Sequence, residues 1–242
     1  MIRPLLILMF FLTMLMGFAQ ENLVDDIKIE GAKRTKVRFL KKLIQVRSGA
    51  VLDSVAIRED MERLKRLPSI SHAYFQVFSA ADGKHNVFYH IEENFTLIPF
   101  ANLFSSSNDD FAFRIGLQEF NFLGKNITVG GFYQYDVFNS YGLSLRAPYL
   151  FSNKVGLAFN YHDFTTQEPV FFDNTTADYK YNNQGFEVLG LYEFNFKNRI
   201  ELGFSLFTEE YAYLSGATNP TVPQALKVDK HHFKFIYKFD DI

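Results

Sequence analysis

The sequence has 242 residues, a formal charge of −2, no cysteine and no tryptophan, yet 29 phenylalanines and 13 tyrosines. Without cysteine it forms neither a disulfide framework nor a lipid anchor built on an N-terminal Cys. The length suits one or two domains, and no segment after the first twenty residues resembles a membrane-spanning helix.

The chain opens with MIRPLLILMFFLTMLMGFAQ: Arg3, an apolar run from Leu5 to Met16, then small residues at Gly17 and Ala19. That layout predicts a secretory signal peptide over residues 1–19, cut before Gln20. A short strand follows, in which Ile27 and Ile29 alternate with Lys28 and Glu30 before Gly31. Thr35 is placed to cap a helix with Val37, Leu40, Leu43 and Ile44 on its apolar face, stopped by Ser48-Gly49. Asp53 or Ser54 starts a second helix, with Ile57, Met61 and Leu64 on one face and Pro68 at its end. Two strands, residues 73–78 and 87–92, flank the turn sequence Ala81-Asp82-Gly83-Lys84. The order over residues 20–94 is β-α-α-β-β.

Composition changes at Glu93 and Asn94. Residues 20–94 hold 13 Lys and Arg against 11 Asp and Glu, whereas residues 95–242 hold 11 against 16 and carry 22 of the Phe. A domain boundary belongs there.

Beyond it the period is two. A weaker strand near residues 95–104 leads to a run in which Phe111, Phe113, Ile115 and Leu117 alternate with Ala112, Arg114, Gly116 and Gln118. Six more alternating runs begin near Ile127, Tyr141, Val155, Phe186, Ile200 and Phe233, making eight strands. Their ionisable residues are Arg114, Asp136, Arg146, His162, Glu187, Glu193, Glu201, Glu209, Lys234 and Lys238. All lie opposite the apolar face; only Glu119, at a strand end, breaks the rule. A soluble sandwich also alternates, but its strands average ~5–6 residues, whereas these approach the ten that a tilted strand needs to cross a bilayer. A charge on a lipid-facing position would cost ~2–4 kcal/mol at mid-bilayer, which accounts for the parity. An antiparallel transmembrane β-barrel is therefore expected over residues 95–242. The turns at residues 121–125, 150–154 and 197–198 are short, while residues 165–183 and 212–227 read as long polar loops on the other side.

No catalytic constellation, cofactor motif or metal site emerges. Successive side chains on a strand point to opposite faces, so His231 and His232 do not chelate together. His162 reads as a solvated lumen residue. Gly142 to Arg146 (GLSLR) lacks the second glycine of a nucleophile elbow. The basic run at residues 33–42 reads as a solvated helix face, with no nucleic-acid partner.

Five features of residues 27–93 resemble a POTRA domain. They are the Ile-x-Ile-x-Gly strand, Lys33-Arg34-Thr35 before helix one, Ser48-Gly49 before helix two, that helix's leucine-rich end, and the closing Ile91-Glu92-Glu93. Asn121-Phe122-Leu123-Gly124-Lys125 is similar to an early barrel turn of the BamA-type outer-membrane assembly and transport superfamily. The resemblance implies an α+β POTRA domain in the periplasm, followed by a barrel in the outer membrane of a Gram-negative bacterium. Family barrels have sixteen strands and an Arg-Gly-aromatic lid motif. Eight strands without that motif suggest the N-terminal portion of a longer protein, with a closed eight-stranded barrel as the alternative. The implied function is non-enzymatic: receiving and inserting unfolded outer-membrane precursors, in contact with outer-membrane lipid and possible accessory lipoproteins. A secretion pore or surface-enzyme anchor with a dedicated partner, and a passive channel, are the alternatives. By the same resemblance the second POTRA strand, His72, Ala73, Tyr74, Phe75, Gln76, Val77 and Phe78, accepts a client strand by β-augmentation.

Overall fold

The computed structural model describes residues 22–105, 111–172, 175–195, 197–217 and 223–240, so the expected signal peptide lies outside the described residues. The first unit runs β1 (Val24–Glu30), α1 (Val37–Leu43), α2 (Ser54–Lys65), β2 (Ile70–Ser79) and β3 (His85–Glu93). Its sheet has the order β1-β3-β2, with β1 parallel and β2 antiparallel to the central β3. Alternation in β3 turns Val87, Tyr89 and Ile91 onto the helices, where they meet Leu40, Leu43, Ile57 and Leu64 in one buried core. Helix α2 starts as expected: the Asp53 carboxylate accepts the Val55 N–H at 2.7 Å.

Helix α1 departs from its expected limits. Thr35 is not its cap; Lys36 holds that position without a side-chain cap bond. Thr35 is engaged elsewhere, because its N–H donates to Glu93 and its hydroxyl accepts from Asn121. Phe39, rather than the exposed Val37, completes the buried face. The helix also stops at Leu43, well before Ser48-Gly49. The Asp60 carboxylate takes the Gln45 and Val46 N–H groups at 2.5 and 3.0 Å, so these donors never reach back into the helix.

Eight further strands form one antiparallel sheet in sequence order: β4 (Leu97–Ser105), β5 (Phe111–Phe122), β6 (Ile127–Asp136), β7 (Phe138–Ala147), β8 (Val155–Phe172), β9 (Thr175–Glu193), β10 (Asn198–Gly216) and β11 (Ala225–Phe239). Strands β4 and β11 are its edges and do not pair with each other, so the sheet is a partial barrel rather than a closed eight-stranded one. Among the described residues, most of the two expected loops is strand. Residues 165–172 and 175–183 continue β8 and β9 as a ladder running to Phe172↔Thr175, and residues 212–216 and 225–227 belong to β10 and β11. Their many Thr, Gln, Asn and Asp side chains read as loop, yet Ala177 and Tyr179 are buried against Val170, Phe172, Tyr211 and Tyr213 and hold the strands together.

Burial in this sheet is inverted. Lipid-parity residues such as Phe233 and Leu143 are 78% and 61% exposed, while Gln134 and Glu201 on the other face are 1% and 3% exposed. Only a sheet curled around its polar face produces that pattern. Along β10 the row Ile200, Leu202, Phe204, Leu206 and Thr208 carries no charge before Glu210. Ten residues of strand cover ~33 Å. At a tilt of ~40° that spans about 25 Å of bilayer, the height of an outer-membrane apolar band. Glu119 fits as a strand-end exception: the register slips between Glu119 and Phe122, and its carboxylate turns back to the Asn121 N–H at 2.7 Å.

Candidate binding edge and domain junction

Strand β2 pairs with β3 along one side only; among the described residues nothing hydrogen-bonds to its outer side. Ile70 and Ala73 are buried and fix its start, after which Tyr74, Phe75, Gln76, Val77 and Phe78 are exposed, as is His72. The two faces differ. Phe75 and Val77 lie opposite Tyr89 and Val87 at the margin of the core. On the open face Tyr74 stacks on His90 at 4.7 Å, Phe78 meets Phe88 edge-on at 5.3 Å, and Gln76 Oε1 lies 3.1 Å from His90 Nε2. All seven sequence-predicted residues therefore lie on one sheet edge, where unpaired N–H and C=O groups alternate with apolar side chains. An extended apolar segment is chemically suited to such an edge.

Three of the motifs that carried the resemblance, Lys33-Arg34-Thr35, the closing Glu93 and the turn at Asn121 to Lys125, converge at the base of the barrel. Glu93 accepts the N–H groups of Lys33, Arg34 and Thr35 at 3.1, 2.8 and 2.7 Å. Partial burial alone raises its carboxyl; these bonds and the Thr35 hydroxyl outweigh that and hold it below the usual carboxylate range. Thr35 in turn accepts from Asn121 Nδ2 at 2.9 Å, and the Lys36 N–H donates to the Gly124 carbonyl at 2.9 Å. Gly124 has φ +67°, and a Cβ there would lie 2.4 Å from the Arg34 carbonyl oxygen, so only glycine fits. The first barrel turn is thereby bolted to the loop before α1.

A second contact lies beside it. The Arg63 guanidinium is 3.5 Å from Glu193, and both side chains are about nine-tenths buried. Tyr149, in the turn after β7, packs 6.2 Å from Phe39 and donates to Glu193 at 3.4 Å. Burial and the Glu193 charge push its hydroxyl up to about 12, so it stays a donor. Arg63, Arg146, Arg199, Glu193 and Glu201 border a cavity of about 210 Å³ at the lumen base. Above it, Glu201 bridges Arg146 and Lys238, and Glu187 joins Lys234, Ser205 and Asn160 in a network across four strands. The lumen face thus carries paired charges and hydrogen-bonded polar groups around a small apolar cluster of Ala158, Leu189 and Leu191. His162 belongs to the same face, 2.7 Å from Asn183 Oδ1.

Sequence reading missed Asp60, Arg63 and Tyr149. Asp60 is fully buried; desolvation raises its carboxyl, against the opposing pull of hydrogen bonds from Val46, Gln45 and Tyr89 and the charge of Arg63. The signal was present, since an acid three residues after Ile57 and four before Leu64 sits on the apolar stripe.

Residues 23–94 match the family model described as POTRA, surface antigen variable number repeat. Three solved structures share the fold of the whole. BamA from Haemophilus ducreyi lacking POTRA domains 1–3 has a TM-score of 0.63 at 18% identity, covering 91% of this chain and 44% of that one. CdiB from Acinetobacter baumannii gives 0.52 at 14%, covering 81% and 39%. CdiB from Escherichia coli gives 0.57 at 14%, covering 92% and 43%. The chain spans less than half the length of each. No curated protein matches it.

Proposed function

The chain has the POTRA-plus-barrel fold of the BamA-type superfamily, and we propose that it is a non-enzymatic outer-membrane assembly factor whose POTRA domain faces the periplasm. An unfolded barrel precursor adds a strand to β2 along His72 to Phe78, and the adjoining sheet guides it into lipid. The observation that carries this reading is the pairing of a sheet apolar on its exposed face with a hydrogen-bonded neighbouring domain presenting an open strand edge. Main-chain hydrogen bonding supplies affinity without regard to client sequence, while Phe75, Val77, Tyr74 and Phe78 favour alternating apolar clients.

The test is photocrosslinking from residue 76 in cells. Adducts with several different outer-membrane barrels, together with lower levels of those barrels on depletion, are expected. Unchanged barrel levels would contradict the reading. The second reading, which the same fold serves equally, is export of one dedicated partner. Adducts with a single large secreted protein, and loss of that protein alone on deletion, would select it.

A further inference from the structure

We propose that the groove between α1 and the outer base of the barrel holds the phosphate headgroup of an anionic phospholipid. The inference rests on the membrane reading above and extends it to a specific ligand. A cavity of about 650 Å³ lies there, bordered by Lys36, Arg38, Lys42 and Lys125. No carboxylate is among its lining residues. Four like charges around one groove repel each other, and a phosphate relieves that repulsion.

The fold explains the crowding. Helix α1 commits Phe39, Leu40 and Leu43 to the core, which leaves its basic residues outside. Gly124, bolted under Lys36, brings Lys125 to the same place. Lys42 is held inward by donating to the Tyr149 carbonyl at 3.3 Å. The Glu193 carboxylate is on the far side of a wall: Tyr149 lines both cavities, and its hydroxyl points to Glu193 at the lumen base.

The apolar part of the groove identifies a lipid rather than a free anion. Ile127 and Leu150 line it. Ile127 begins the lipid-facing row of β6 that continues through Val129, and the neighbouring Phe151 is 65% exposed in the short turn after β7. A headgroup bound by the four cations would therefore have its acyl chains against the barrel wall at the periplasmic interface.

The experiment uses the full chain, purified in a non-ionic detergent and delipidated. Three probes are titrated: phosphatidylglycerol, phosphatidylethanolamine, and glycerol phosphate as the headgroup without chains. Melting temperature and native mass spectrometry are the readouts. Phosphatidylglycerol should raise the melting temperature and remain bound at about one molecule per chain, while the other two do neither. Lys36→Gln, Arg38→Gln, Lys42→Gln and Lys125→Gln should each weaken binding about fivefold, and the quadruple variant should abolish it. Lys41→Gln, on the same helix but outside the groove, should leave affinity within about twofold of the parent. Equal binding of phosphatidylethanolamine, or retention by the quadruple variant, would overturn the proposal. Glycerol phosphate binding as well as the lipid would overturn it in favour of a free-phosphate site. A chain that stays monomeric without detergent would instead remove the membrane reading itself, so the two failures are distinguishable.

Discussion

In the POTRA domain Leu40 and Val87 have no exposed surface, whereas in the barrel sheet Leu143 is 61% exposed and Glu201 only 3%. One chain thus solves burial twice, in opposite senses. Residues 22–94 hide apolar groups from water, as any small α+β domain does. The eight-stranded sheet hides ionisable groups within its curl and offers phenylalanine outwards. The difference lies in the solvent each face expects, and neighbouring strands of one polypeptide, β3 and β4, belong to opposite regimes.

That contrast is broken most severely at the core. Leu40→Ala should cost about 2–5 kcal/mol in POTRA stability, read by denaturant unfolding. Leu143→Ala, a chemically identical change, should cost far less, and similar losses at the two sites would sink the distinction. Next in size, Leu143→Lys should destabilise the membrane-inserted barrel by about 2–4 kcal/mol, while the neighbouring Ser144→Lys on the lumen face stays near neutral. The seam between the regimes should respond more modestly. Gly124→Ala forces a side chain into the left-handed region and onto the Arg34 carbonyl, at a cost of about 1–3 kcal/mol, and should loosen the POTRA domain in limited proteolysis. Asn121→Ala, which removes the donor to Thr35 and the acceptor of the Asn126 N–H, should cost about 1–2 kcal/mol by the same assay.

The smallest effect is a pH dependence. The Glu93 carboxyl is held below its ordinary value of 4.5 in the folded state, so the folded state binds that proton less readily than the unfolded chain. Its contribution is fully present above about pH 4.5 and is lost as pH falls through the lower folded value. Proteolysis of the junction should accelerate over that acid range in the parent. In Glu93→Gln the added acceleration should vanish; an unchanged acid profile would remove Glu93 from the junction.

The regular parts of both regimes were legible because each has its own period. The alternation Tyr141, Leu143, Leu145 against Gly142, Ser144, Arg146 marks a two-faced strand whatever its surroundings. Helix α2 declared itself through Asp53 and the Ile57, Met61, Leu64 stripe. Hidden features were those decided by long-range partners. Thr35 looks like a cap until Glu93 and Asn121, far away in sequence, claim its donors and acceptor. The end of α1 is set by Asp60, fifteen residues after Gln45. In the outer hairpin of β8 and β9 the apolar face is short, Ala177 and Tyr179 packed with Val170 and Phe172, and the many Thr, Asn and Gln around it mask the period. The edge of β2 was inferred from resemblance, and its free side follows only from the sheet order.

The most direct test of the inverted sheet exploits the absence of cysteine from the sequence. Single cysteines at each position from Tyr141 to Arg146 in bilayer-reconstituted protein would carry a spin label, with collision rates measured for oxygen, which partitions into lipid, and for a water-soluble nickel complex. Oxygen should dominate at 141, 143 and 145 and nickel at 142, 144 and 146. Uniform accessibility, or an alternation of the opposite phase, would contradict a sheet with hydrocarbon outside and water within.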